Sequence, residues 1–110
     1  MELKRTLENI IRYVVSVTEP EEVILFGSLA DGRANKHSDI DLLIITEALT
    51  DKKEMVSRIR SHIYQYALKA DVLICHGSLL EHEMATPNSF IKAVYTSGKR
   101  VYKKSKNNLE

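Results

Sequence analysis

Asp39 and Asp41 stand two residues apart, separated by ten residues from a Gly27-Ser28 pair, and a third carboxylate, Asp71, enters a later apolar run. Val23 to Phe26 is a short apolar run ending in glycine, which reads as a buried strand that turns sharply at Gly27. Where such a strand gives way to helix, backbone N–H groups lack intrahelical partners, and with the Ser28 hydroxyl beside them they suit a phosphate. Asp39-Ile40-Asp41 leads into Leu42 to Ile45, a second apolar strand, and a period of two sends both carboxylates to one face. Two unit charges about 5 Å apart repel by roughly 3 kcal/mol at an effective dielectric near 20. A divalent cation reverses that sign. Oxygen donors without a Cys or His cluster favour Mg²⁺ or Mn²⁺, which complete their shells with water and substrate phosphate. A nucleoside triphosphate satisfies both halves of the stretch; the plainer alternative is a polar turn between two strands with solvated aspartates.

Asp71 belongs to Lys69 to Cys75, read as a third strand with Asp71, Leu73 and Cys75 on one face and Val72 and Ile74 on the other. Alone, Asp71 reads as a charge at a solvated strand start. Beside a strand carrying Asp39 and Asp41 it is the expected third metal ligand. Arg33 and Lys36, in the loop between the two motifs, offer charge-assisted bonds to a triphosphate or simply face water. His37, His62, His76 and His82 show no metal-ligand spacing with Cys75 or with one another, which gives them ordinary surface roles. His76, directly after the third strand, is the one expected near the cleft.

Gly27-Ser28, ten intervening residues and Asp39-Ile40-Asp41 resemble the signature of the polymerase-beta-like nucleotidyltransferase superfamily, most closely its minimal nucleotidyltransferases (MNT), and the resemblance spans nearly the whole chain. It implies an α+β fold with a small mixed sheet flanked by helices. It also implies two Mg²⁺ ions held by Asp39, Asp41 and Asp71, ATP as substrate, and transfer of a nucleoside monophosphate to a hydroxyl. Gly27 and Ser28 would grip the β- and γ-phosphates. The run Gly27-Ser28-Leu29-Ala30-Asp31-Gly32 departs from the Gly-Ser-Arg-Ala-Arg-Gly form common in such proteins, which leaves Arg33 and Lys36 as the basic residues nearest the triphosphate. Minimal nucleotidyltransferases of this kind are commonly paired with a helical HEPN-family ribonuclease toxin and act as its antitoxin by adenylylating a tyrosine.

The elements that must position these groups follow from periodicity. Leu3, Leu7, Ile10, Ile11, Val14 and Val17 recur at helical spacing over residues 2–17, and Thr18-Glu19-Pro20 stops the helix. Strands follow at 22–27 and 39–46, separated by a short helical turn from Ser28 and a polar loop through His37. Asp51 with Glu54 resembles a helix start, and Met55, Ile59, Ile63 and Tyr66 give one apolar stripe across 51–68. After the third strand, Ser78 with Glu81 predicts a short helix at 78–84. Thr86-Pro87 predicts the start of another running to about 97, with Phe90, Ile91, Val94 and Tyr95 as its apolar face. Gly98 ends it, and Lys99 to Tyr102 reads as a charged edge strand.

At 110 residues this length predicts a single nucleotidyltransferase-sized domain over 1–104 with a polar tail at 105–110, too small for a separate acceptor-binding domain, so the acceptor must be presented by another molecule. The 16 basic and 15 acidic residues leave a net charge of +1, which advertises no nucleic acid partner. No apolar run is long enough to span a bilayer and no signal-peptide pattern is present. The single cysteine, Cys75, accords with a reducing cytoplasm. Three functions remain: AMP transfer from ATP to a partner protein's hydroxyl, transfer to a small molecule such as an aminoglycoside or to RNA, and a non-catalytic antitoxin that masks its partner. A homo-oligomer is open under each.

Overall fold

Helix α1 (Leu3–Thr18) forms where the sequence repeats apolar residues every three or four positions, and it buries Ile10 and Val14 completely. Its end is built by side chains: the Thr18 hydroxyl donates to the Val14 carbonyl at 2.8 Å, and Glu19 adopts a left-handed φ of 46° before Pro20. The computed structural model describes residues 3–27, 39–48 and 51–105. Within them follow β1 (Glu22–Phe26), β2 (Ile40–Thr46), α2 (Lys52–Tyr64), β3 (Ala70–His76), α3 (Gly77–Met84), α4 (Phe90–Ser97) and β4 (Lys99–Lys103). The four strands form one mixed sheet in the order β3-β2-β1-β4, antiparallel except for the parallel β2–β3 pair. This is the α+β architecture expected.

The sheet carries helices on both faces. Val23, Leu25, Leu42 and Ile44 point to one side, where they meet Ile10 and Val14 of α1 and Ile59 and Ile63 of α2. Ile24, Leu43, Ile45 and Cys75 point to the other, against Val94 of α4. Strand β2 lies between neighbours on both edges and helices on both faces. Accordingly Leu42 to Ile45 read as an unbroken apolar run, and all four are buried. Its far end is tied to α1 by the Thr46 hydroxyl, which donates to the Thr18 carbonyl at 2.8 Å.

Several boundaries differ from expectation. Asp51 caps α2 as foreseen, accepting from the N–H groups of Lys53 and Glu54. The helix ends at Tyr64, however, and residues 65–67 form turns closed by Tyr66 N–H to Ile63 O and Ala67 N–H to Tyr64 O. Tyr66 still packs on the core from that turn, which is why the apolar stripe outruns the helix. Helix α3 is capped by His76 rather than Ser78, because β3 runs into it without a loop and the imidazole accepts from the Ser78 N–H. Helix α4 begins at Phe90 under a Ser89 cap; Thr86 to Asn88 make a turn in which Asn88 takes φ 63°, so Pro87 is not in a helical first turn. Strand β4 forms the edge expected of it, with a register irregularity against β1. The proposed helical turn and loop after Ser28 and the tail from 106 onward lie outside the described residues.

Candidate active site

The parallel β2–β3 pairing sets Asp41 opposite Asp71, and the Ile40 N–H donating to the Lys69 carbonyl at 2.9 Å carries the register up to the carboxylates. Paired residues on neighbouring strands face the same side, with strands about 4.8 Å apart, so the two carboxyls lie side by side. Asp39 precedes Asp41 by two residues, which returns it to the same side of the chain. Leu43 and Ile45 continue that face into the buried core below. Asp39 and Asp71 are exposed, and Asp41 between them is half-buried. Burial, then the negative charges of Asp71 and Asp39, then a hydrogen bond with the Asp71 carboxyl, push the Asp41 carboxyl above the usual carboxylate range. Both Asp71 and Asp39 therefore act on Asp41.

Strand β1 brings the glycine turn to the same place. Phe26 is the antiparallel partner of Asp41, so Gly27 leaves the sheet beside that carboxyl. Gly27 has a φ of 79°, and a Cβ built on it would collide with Oδ2 of Asp41. Only a residue without a side chain lets the turn and the carboxylate approach this closely. Ser28, Arg33 and Lys36, expected with Gly27 at a triphosphate, lie outside the described residues.

Among the described residues, no three Asp, Glu, His or Cys side chains close around a common point. The backbone register nevertheless aligns Asp41 with Asp71, and Asp39 and Asp71 line one depression. The donor chemistry, carboxylate oxygens without imidazole or thiolate, suits a hard divalent cation.

His76 is not near these groups. It sits at the opposite end of β3, five residues or roughly 17 Å along the strand from Asp71 at the usual rise. There it caps α3 and lies 3.5 Å from Glu47. The expectation failed because it placed the cleft after the third strand, whereas the parallel register places it before. Of the other histidines, His62 stacks on Tyr13 with ring centroids 3.9 Å apart, a packing role instead of a surface one, and His82 is exposed.

Other residues at the site had no distinct sequence signal. Arg60, Ser61, Tyr64 and Lys69 line one depression with Asp39 and Asp71. Arg60 carries no signal of its own in the sequence; its place in this depression depends on how α2 crosses β3. Phe90, expected on the apolar face of its helix, is 62% exposed and meets Phe26 edge-to-face at 6.3 Å. A groove of about 880 Å³ between α1 and β4 is lined by neither Asp39, Asp41 nor Asp71.

The family description "Polymerase beta, Nucleotidyltransferase" matches residues 8–107. "Putative protein adenylyltransferase MJ0141" of Methanocaldococcus jannaschii is 32% identical over 100 residues, covering 91% of this chain and 92% of that protein. A crystal structure of a toxin-antitoxin with AMP-PNP is similar over 88% of this chain and 73% of its own, with a TM-score of 0.63 and 20% identity. A mutant of the toxin-antitoxin MntA-HpeT gives a TM-score of 0.62 at 17% identity over the same shares of the two chains. At those identities the two structures establish likeness of fold.

Proposed function

Because the chain belongs to the polymerase beta nucleotidyltransferase family, we propose that it transfers AMP from ATP to a hydroxyl of a partner protein and serves as the antitoxin to a helical HEPN-family toxin. The observation that carries this reading is the register of Asp41 against Asp71 beside the Gly27 turn. Likeness to a protein described as an adenylyltransferase of proteins supports the acceptor class. Likeness in fold to a toxin-antitoxin that holds AMP-PNP supports both the nucleotide and the kind of partner.

In this reading Asp39, Asp41 and Asp71 hold two Mg²⁺ or Mn²⁺ ions. Bound there, the ions supply charge neutralisation on the departing pyrophosphate and acidify the acceptor hydroxyl. The chain's own residues do the rest. Gly27, lacking a side chain, lets the backbone approach the β- and γ-phosphates, and Ser28 donates its hydroxyl to them. Arg33 or Lys36 adds a charge-assisted bond. Asp71, the exposed member of the facing pair, receives the acceptor proton at its carboxylate. The acceptor oxygen bonds to the α-phosphorus as the bond to the bridging oxygen of pyrophosphate breaks, so catalysis is alignment and electrostatics, with no covalent enzyme intermediate.

The test is to incubate the purified chain with a purified helical HEPN-family partner, ATP and Mg²⁺, and to weigh both proteins. The partner should gain the mass of AMP with the wild type and not with Asp39→Ala or Asp41→Ala. An unmodified but fully inhibited partner would instead mean masking.

A further inference from the structure

Resting on the reading of the acceptor as a protein, we propose that the open edge of β3 binds the acceptor as an added extended strand. The acceptor's hydroxyl-bearing residue lies opposite Asp71, and acidic residues at odd spacings from it meet a basic rim on α2. The two edges of the sheet are built differently. Strand β4 carries Lys99, Arg100 and Lys103, and its register against β1 is irregular, features that discourage further pairing. Strand β3 has neither device between Asp71 and His76: its residues are Val72, Leu73, Ile74 and Cys75, in unbroken register with β2. Among the described residues no strand lies beyond it.

Hydrogen-bond parity fixes which groups are on offer. The Lys69 carbonyl faces β2, where it accepts from Ile40. Along a parallel pair the residues alternate in the side to which they direct N–H and C=O, so Lys69, Asp71, Leu73 and Cys75 serve β2. Val72 and Ile74 then turn theirs outward.

A groove runs along this edge to the carboxylates. A depression of about 480 Å³ is lined by Val72, Leu73 and Ile74 with Lys52, Lys53 and Arg60 of α2. It shares Arg60 and Ser61 with the neighbouring depression that holds Asp39 and Asp71. Among the described residues none of Lys52, Lys53 and Arg60 is paired with a carboxylate. A strand added to β3 would place the side chain opposite Asp71 on the face of Asp71 and Asp41. Side chains opposite Val72 and Ile74, one and three residues away, would fall on the α2 side, where the three cations stand. The occupant is thus an extended segment with a neutral hydroxyl residue and acidic residues at odd offsets.

The test uses two fluorescent nonapeptides of identical composition, each with a central tyrosine, four Glu and four Val. One has Glu at odd offsets from the tyrosine and the other at even offsets, and binding to the full-length protein is read by anisotropy. The odd-offset peptide should bind at least about tenfold more tightly, the expected worth of one charge-assisted contact. It should also slow hydrogen exchange at the Val72 and Ile74 amides. Lys52→Glu with Lys53→Glu should abolish the preference, and Ile74→Pro, which removes one outward N–H, should abolish binding, while Ile74→Ala retains it. Equal binding of the two peptides, or no added protection at those amides, would overturn the proposal. So would a concentration-dependent dimer that Ile74→Pro dissolves, because the edge would then belong to a second copy. Peptide binding requires no turnover, so failure of AMP transfer with odd-offset binding intact would count against the catalytic reading and not against this one.

Discussion

The α-carbon of Gly27 faces the Asp41 carboxyl so closely that a methyl group there would overlap Oδ2. The contact joins the end of β1 to the start of β2, and so couples the turn that precedes Ser28 to the acidic pair. Gly27→Ala meets two penalties, the positive φ and the collision. The left-handed conformation alone costs roughly 1–2 kcal/mol for an alanine. That corresponds to a fall in Tm of roughly 5–10 °C for a domain of this size. Calorimetry should show that loss together with disappearance of any thermal stabilisation by ATP and Mg²⁺; an unchanged Tm would show that the turn relaxes freely.

Asp41 makes stability depend on pH. Its pKa in the fold lies above the ordinary 3.8, first through burial and then through Asp71 and Asp39. Between those two values the folded state holds more proton than the unfolded chain, so stability falls as pH rises through that window and stays lower above it. Asp41→Asn removes the dependence. Without divalent ions the variant should therefore be more stable than wild type at pH 7 and lose that advantage below about pH 4. Adding Mg²⁺ should raise the Tm of the wild type alone. Parallel Tm-versus-pH curves for the two proteins would refute the coupling.

Tyr95 ties α4 to β1. Its hydroxyl donates to the Glu22 carboxylate, 2.9 Å from Oε2, and Arg100 approaches the same carboxylate at 3.4 Å. Burial first, then Glu22, pushes the phenol pKa upward. Tyr95→Phe leaves a mostly buried carboxylate short of a donor, which should cost about 1–2 kcal/mol. Urea denaturation checks this, and Glu22→Gln, which keeps an acceptor for the phenol while discarding the charge, should cost less.

Cys75 should be inert. It is 6% exposed, and burial, followed by Glu83, raises its thiol pKa against a smaller lowering by Lys52. Alkylation at pH 8 should then proceed only through opening of the fold, far more slowly than in urea. Rapid labelling of the native protein would show that the β3 edge opens readily.

How much of this was legible beforehand depends on the kind of interaction concerned. Local periodicity sufficed for the elements, as in the stripe of Ile59 and Ile63 and the alternation of Asp71, Leu73 and Cys75 against Val72 and Ile74, because burial on one face leaves a repeat in the chain itself. Helix starts were less legible at α3 and α4. Ser78 and Thr86 carry cap-forming side chains, yet the caps are His76 and Ser89, since the connection that enters a helix decides which residue is first free to turn.

Taken alone, the order of residues determined the acidic trio, the glycine turn and the alternation that aims Asp39 and Asp41 one way, all of which are properties of neighbours along a chain. Tertiary structure decided that β3 runs parallel to β2 with Asp71 against Asp41. It likewise put His76 at the far end of the sheet and Arg60 in one depression with Asp39 and Asp71. Register between strands about 30 residues apart is set by how the whole core packs, and no local pattern records strand direction or which helix face overhangs an edge.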